Sequence, residues 1–159
     1  MISARSSPSL HSPWRVAGAT GLALLVAASP ALALEPYRIV ADAIPEALGG
    51  KIGDASRGAA LVRDRERGNC LICHQGDDPS EPFQGSIGPS LKGVGARLEA
   101  GRIRLRLVDM SRLDPQTVMP PYFRIENMRD VAPAYRGQPA LSAQEIEDVV
   151  SYLASLKTE

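Results

Sequence analysis

Cysteine and histidine are scarce in this chain of 159 residues, with two of each: Cys70, Cys73, His11 and His74. Two thiols cannot build a four-thiolate zinc site. Aromatic residues make up only 4% of the chain, so a core built from its own aliphatic side chains would be modest. An excess of charge of either sign is also missing. The 18 basic residues balance 18 acidic ones, and nothing in that balance points to nucleic acid. There is no internal repeat, no low-complexity tract and no Arg-Arg pair. No apolar run reaches the roughly twenty residues that span a bilayer.

Against that background one stretch carries chemistry. Cys70-Leu71-Ile72-Cys73-His74 reads C-x-x-C-H, the attachment pattern of a c-type haem. The spacing has a physical reason. Two thiols must reach two vinyl groups on one porphyrin edge, and the adjacent imidazole must reach the iron from one face. C-x-x-C alone also serves redox dithiols and structural disulfides. A thioredoxin-like setting would need strands alternating with helices around it, and none is evident. The bland alternative at this point is a disulfide or dithiol pair.

Residues 1–33 read as a cleavable secretory signal. Arg5 and Arg15 are the only charges before Glu35, Val16 to Ala28 is a short apolar run, and Ser29-Pro30 breaks it. Ala31-Leu32-Ala33 satisfies the small-x-small rule, so the mature chain is expected to begin at Leu34 and to be periplasmic. An uncleaved anchor is the competing reading. Cleavage would remove His11 and leave His74 as the single histidine, so a second imidazole of the same chain could not complete the iron. It would also leave 16 basic against 18 acidic residues, a net charge of −2.

The mature length suits one domain. Residues 34–50, with Pro36, Pro45, Gly49 and Gly50, show no sustained period and read as an extended N-terminal arm. Residues 51–159 read as the domain proper. Asp54 to Gly68 is expected as a helix capped by Asp54, with a narrow face of small residues (Ala55, Gly58, Ala59) beside Leu61 and Val62 that suits close approach by another helix. After a polar loop, Ile87-Gly88-Pro89 forces irregular backbone. One use for such a bend is to offer a carbonyl to the second nitrogen of a ligating histidine.

Leu98 to Ser111 is expected as a helix, although the Arg/apolar alternation from Arg102 to Leu107 also fits a strand. Arg102, Arg104 and Arg106 are read most simply as a solvated face, with an anion-attracting or docking surface as the sharper reading. Leu113 to Tyr122 is a proline-rich loop holding Met119, flanked by Val118 and Pro120-Pro121. A thioether suits haem iron, and His/Met ligation raises its potential. Met119 is therefore the expected distal ligand. Met110, in a helix, and Met128, in a polar run, are the other methionines of the mature chain, and Lys92 is an outside candidate. Ser142 to Leu156 is the clearest helix. Ser142 and Glu145 form a capping box, and Ile146, Val149, Val150, Leu153 and Leu156 follow helical spacing.

The order helix, C-x-x-C-H, Gly-Pro turn, Met-Pro loop and terminal helix resembles a class I cytochrome c, an all-α fold of a few helices around one covalent haem. Ile44-Pro45-Glu46, Gly68-Asn69-Cys70, Glu81-Pro82-Phe83, Ile87-Gly88-Pro89-Ser90-Leu91, Val118-Met119-Pro120, Ala134-Tyr135-Arg136-Gly137 and Leu141-Ser142-Ala143-Gln144 are similar to the SoxX family. SoxX is the monohaem subunit of the sulfur-oxidation complex SoxAX. The resemblance runs from about Ile39 to Lys157. It implies that Cys70 and Cys73 hold haem c, that His74 is the proximal ligand and that Met119 is the distal one. It implies a heterodimer with a larger SoxA-like cytochrome, and transient contact with a sulfur-carrier protein and a soluble cytochrome c. The complex would be a thiosulfate-oxidising L-cysteine S-thiosulfotransferase. Its bond-forming chemistry would lie on the partner, because this chain keeps no free thiol once both cysteines are haem-bound. A free-standing electron carrier is the alternative, and a secreted dithiol protein without haem is a third reading.

Overall fold

The computed structural model describes residues 34–78 and 80–158. The expected signal segment, its cleavage site and His11 lie outside them. Four α-helices occur among the described residues: α1 (Ala55–Arg63), α2 (Val94–Arg97), α3 (Ala100–Asp109) and α4 (Ala143–Ser155). Short 3₁₀ turns occupy Leu48–Gly50, Cys70–Ile72, Met110–Arg112 and Pro133–Tyr135. The only β pairing among the described residues is an isolated bridge between Val40 and Ala43. No described helix is long and apolar enough to cross a membrane.

Helix α1 starts where expected: the Asp54 side chain accepts from the Arg57 amide. It ends at Arg63, five residues short of the expected Gly68. Asp64 explains the early stop. Its carboxylate accepts from the amides of Glu66 and Arg67, a local turn that competes with helix. The small-residue face works as the sequence suggested. A Cβ on Gly58 would lie 2.0 Å from the Asp148 carbonyl oxygen, so α1 touches the backbone of α4 where only glycine fits.

Helix α4 carries the expected capping box, with Ser142 and Glu145 bonding reciprocally. Its stripe of Ile146, Val149, Val150 and Leu153 is buried and packs against α1 and α3. The expected stretch from Leu98 to Ser111 is helical over α3, not a strand. Its arginines, however, do not form a solvated face. Arg104 is buried at 5% exposure. Its guanidinium donates to both Glu147 carboxylate oxygens, at 2.7 and 2.8 Å, and to the carbonyls of Ile44 and Pro45. Arg102 pairs with Asp42, and Arg106 donates to the Arg102 carbonyl. A buried carboxylate on α4 is what draws Arg104 inward, since neither charge is tolerable there without the other.

That pair also explains the N-terminal segment. Residues 34–50 are largely irregular and lie on the domain. Ile44 and Leu48 enter its core at 0% and 1% exposure. The Leu48 amide donates to Glu147, and Arg104 holds the carbonyls on either side of the Ile44–Pro45 bond. Polar backbone carried inward with these two side chains is thus matched.

Candidate haem-attachment site

Cys70 to Ile72 forms a single 3₁₀ turn. Its entry is set by Asn69, a non-glycine residue at φ 48°, whose amide donates to the Asp64 carbonyl at 2.7 Å. Within the turn the amides of Cys73 and His74 both donate to the Cys70 carbonyl. The turn therefore draws the two thiols and the imidazole together, as five consecutive residues with this spacing should. Both cysteines are free thiols. Burial pushes the Cys70 thiol up to about 11, with the nearby Tyr122 hydroxyl opposing the rise. An uncharged sulfur suits that environment, and a thioether is uncharged.

The Gly-Pro bend does what the sequence suggested for it. The Pro89 carbonyl accepts from His74 Nδ1 at 2.6 Å. That bond makes Nδ1 the protonated nitrogen and leaves the Nε2 lone pair free to ligate. The bend is anchored by the Gly88 amide on the Cys73 carbonyl and the Leu91 amide on the Gln75 carbonyl. Arg97 donates to the carbonyls of Ser90 and Lys92. Gly88 leaves the imidazole its space: a Cβ there would lie 2.3 Å from His74 Cε1 and 2.5 Å from Nδ1.

Met119 is partly buried against the core, as Cys70 is. Its amide donates to Thr117 Oγ1, and the two prolines that follow it stiffen the chain. The other methionines and Lys92 are placed differently. Met128 is exposed, with its sulfur accepting from Arg124. Met110 heads the 3₁₀ turn after α3. Lys92 Nζ lies 3.7 Å from Asp77.

Apolar side chains next to these segments stand open to solvent. Ile72, Ile87 and Val118 are exposed at 61%, 73% and 81%. Apolar surface of this kind suits a large flat ligand or a docked partner. A cleft of about 420 Å³, lined by Leu34, Tyr37, Ser111, Arg112, Phe123 and Arg124 among others, shares no residue with this site.

Three features went unseen in the sequence reading. Tyr122 was read as part of a motif with no role of its own, yet its buried hydroxyl donates to the Gly68 carbonyl at 2.7 Å. Asp148, in the N-terminal half of α4, is buried. It accepts from Arg57, from the Asp54 amide and from Gln144, and the Arg57 bonds hold its carboxyl below the usual range. Asp109 is buried and engaged by Arg112, Arg124 and Ser111. Helical spacing could have placed Asp148 one position from the apolar stripe, but it names no partner.

Comparisons with known proteins agree with this geometry. A family model described as cytochrome c matches residues 55–157. No curated protein matches the chain. Among solved structures, a chain in the crystal structure of SoxXA from P. pantotrophus superposes with a TM-score of 0.70 at 29% identity. The match covers 76% of this chain and 94% of that one.

Proposed function

The chain belongs to the cytochrome c family, carrying covalent haem c in an electron-transfer role, and on that premise we propose that it is the monohaem electron-transfer subunit of a SoxXA-type complex. Cys70 and Cys73 would hold the haem as thioethers, and His74 and Met119 would ligate its iron. When bound, the haem supplies a one-electron store. The protein's own residues orient it. Pro89 fixes the imidazole tautomer, Gly88 makes room for the ring, and the Pro120-Pro121 pair keeps Met119 from swinging away.

The observation that carries the electron-transfer reading is the 2.6 Å bond from His74 Nδ1 to the Pro89 carbonyl. A surface histidine has no need of it, whereas an axial ligand gains basicity and a fixed tautomer from it. The likeness to nearly the full length of a SoxXA chain supports the pairing with a SoxA-like subunit. In that setting thiosulfate sulfur joins a carrier-protein cysteine sulfur. The new S–S bond replaces a thiol S–H, releasing one proton and two electrons. This subunit would take up those electrons one at a time and deliver them to a soluble cytochrome c. The bond-forming step belongs to the partner. A periplasmic location follows from the expected signal segment.

Co-expression with a SoxA-like subunit in a host competent for cytochrome biogenesis tests both parts. The expected result is a haem-stained heterodimer that survives purification. A red monomer with no affinity for the partner would favour a free-standing carrier. A colourless protein would remove the haem sites. Met119→Ala should keep covalent haem and lose the methionine–iron charge-transfer band in the far red. An unaltered band would remove Met119 as a ligand.

A further inference from the structure

The sequence places the two ligand-bearing segments far apart, and one side chain joins them. Tyr122 is buried at 8% exposure, and its hydroxyl donates to the Gly68 carbonyl at 2.7 Å. Gly68 lies two residues before Cys70, and Tyr122 lies three residues after Met119. We propose that Tyr122 is a positioning residue for iron ligation, its phenol bracing the Met119 loop against the turn that presents Cys70, Cys73 and His74. The proposal rests on the ligand assignment above and adds what holds the two ligands in register.

Three bonds fix Tyr122 itself. Its amide donates to the Leu107 carbonyl of α3 at 3.0 Å, and its carbonyl accepts from the Leu141 amide at 3.0 Å. The phenol makes the third, to Gly68. The backbone bonds alone tie Tyr122 to α3 and to the approach to α4. Only the phenol bond reaches the haem-attachment segment. The link back to Met119 is short and stiff, because Pro120 and Pro121 each have φ locked near −65°. A shift at Tyr122 is therefore passed to the Met119 sulfur instead of being absorbed by the loop.

The other end is equally constrained. Asn69 holds a left-handed conformation at φ 48°, and its amide is tied to Asp64. Gly68 is packed against the Leu61 carbonyl. The Gly68 carbonyl thus offers the phenol a fixed point, not a mobile loop. A residue acting only as core filling would need the ring. Bracing the ligands needs the hydroxyl as well, and this separates the two roles.

The test is Tyr122→Phe in the full-length holoprotein, read by cyanide binding to the ferric form and by the pH at which the far-red methionine band disappears. Cyanide competes with Met119 for the iron, so its affinity reports how firmly the sulfur is held. Loss of one buried hydrogen bond should raise cyanide affinity about two- to tenfold. The band should vanish up to about one pH unit lower, the equivalent of a tenfold change. Ile146→Val, a core change on α4 that leaves the phenol bond intact, should lower thermal stability and leave both readings at wild-type values. Cyanide affinity and band midpoint unchanged in Tyr122→Phe, whatever its melting temperature, would overturn the proposal. If that variant fails to mature, NMR of the ferrous wild type decides. A Tyr122 hydroxyl proton protected from solvent and bonded to Gly68 is expected, and a freely exchanging one refutes the brace. Met119→Ala separates the two levels of the argument: an unaltered far-red band there sinks the ligand assignment, whereas its loss beside a wild-type-like Tyr122→Phe sinks only the brace.

Discussion

Gly88→Ala is the sharpest probe of how the imidazole is held. The added methyl would sit 2.3 Å from His74 Cε1, 2.5 Å from Nδ1 and 2.7 Å from Nε2. All three distances are far inside van der Waals contact, so either the ring or the 87–91 bend must move. The bend is not free to yield, since the Gly88 amide is bonded to the Cys73 carbonyl at 2.8 Å and the Leu91 amide to Gln75 at 2.7 Å. The ring is therefore expected to tilt, stretching its 2.6 Å bond to Pro89. With His74 as an iron ligand, that bond would make the imidazole a stronger donor and favour ferric iron. Weakening it should raise the reduction potential. If the bond contributes about 0.5–1.5 kcal/mol, the rise is about 20–60 mV, taking about 59 mV per tenfold for one electron. Spectroelectrochemical titration of purified wild-type and variant holoprotein would measure it. Overpacking should also cost about 1–3 kcal/mol of stability, which denaturant titration would read separately. A variant whose potential stays within about 10 mV of wild type, a limit set well below one tenfold step, would refute the claim that the Gly-Pro bend tunes His74.

Three further outcomes follow from the packing. Arg104→Ala leaves the Glu147 carboxylate buried without its guanidinium and frees the Ile44 carbonyl, so stability should fall by about 3–5 kcal/mol. Denaturant midpoints would show this, and a loss under about 1 kcal/mol would mean that water replaces the guanidinium. Gly58→Ala drives a methyl into the Asp148 carbonyl backbone at 2.0 Å and should prise α1 from α4, costing about 1–3 kcal/mol or more; an unchanged melting temperature would contradict this close approach. Asp148 has its carboxyl held low mainly by Arg57. Its stabilising effect is thus full above the ordinary carboxylate range and is lost as pH falls through the depressed native value. Asp148→Asn should flatten the acid limb of the stability–pH profile below about pH 4, and an unchanged limb would assign acid sensitivity to other carboxylates.

Some of these features were legible because they are local. The C-x-x-C-H turn is five consecutive residues whose spacing alone brings two sulfurs and one imidazole together. The Ser142–Glu145 capping box closes within one helical turn, and the α4 stripe repeats at helical spacing. Gly88-Pro89 signalled a bend by its residue types, and the carbonyl it offers lies 15 residues from the ring that uses it. Other features hid in the same patterns. Arg102, Arg104 and Arg106 look alike in sequence because nothing nearby distinguishes them.

What the sequence determined by itself, then, is most of what a single turn or helix can close: the C-x-x-C-H turn, the Asp54 and Ser142 caps and the apolar stripes, though not the Asp64 turn that ends α1 early. What only the tertiary structure decided is which polar groups go inside. Arg104 is buried because Glu147, 43 residues away, meets it on a neighbouring helix. Tyr122 reaches Gly68 across 54 residues. A periodic pattern states which face of a helix turns inward, but the partner that makes an inward charge or hydroxyl tolerable comes from a distant part of the chain. Only the folded backbone brings the two together.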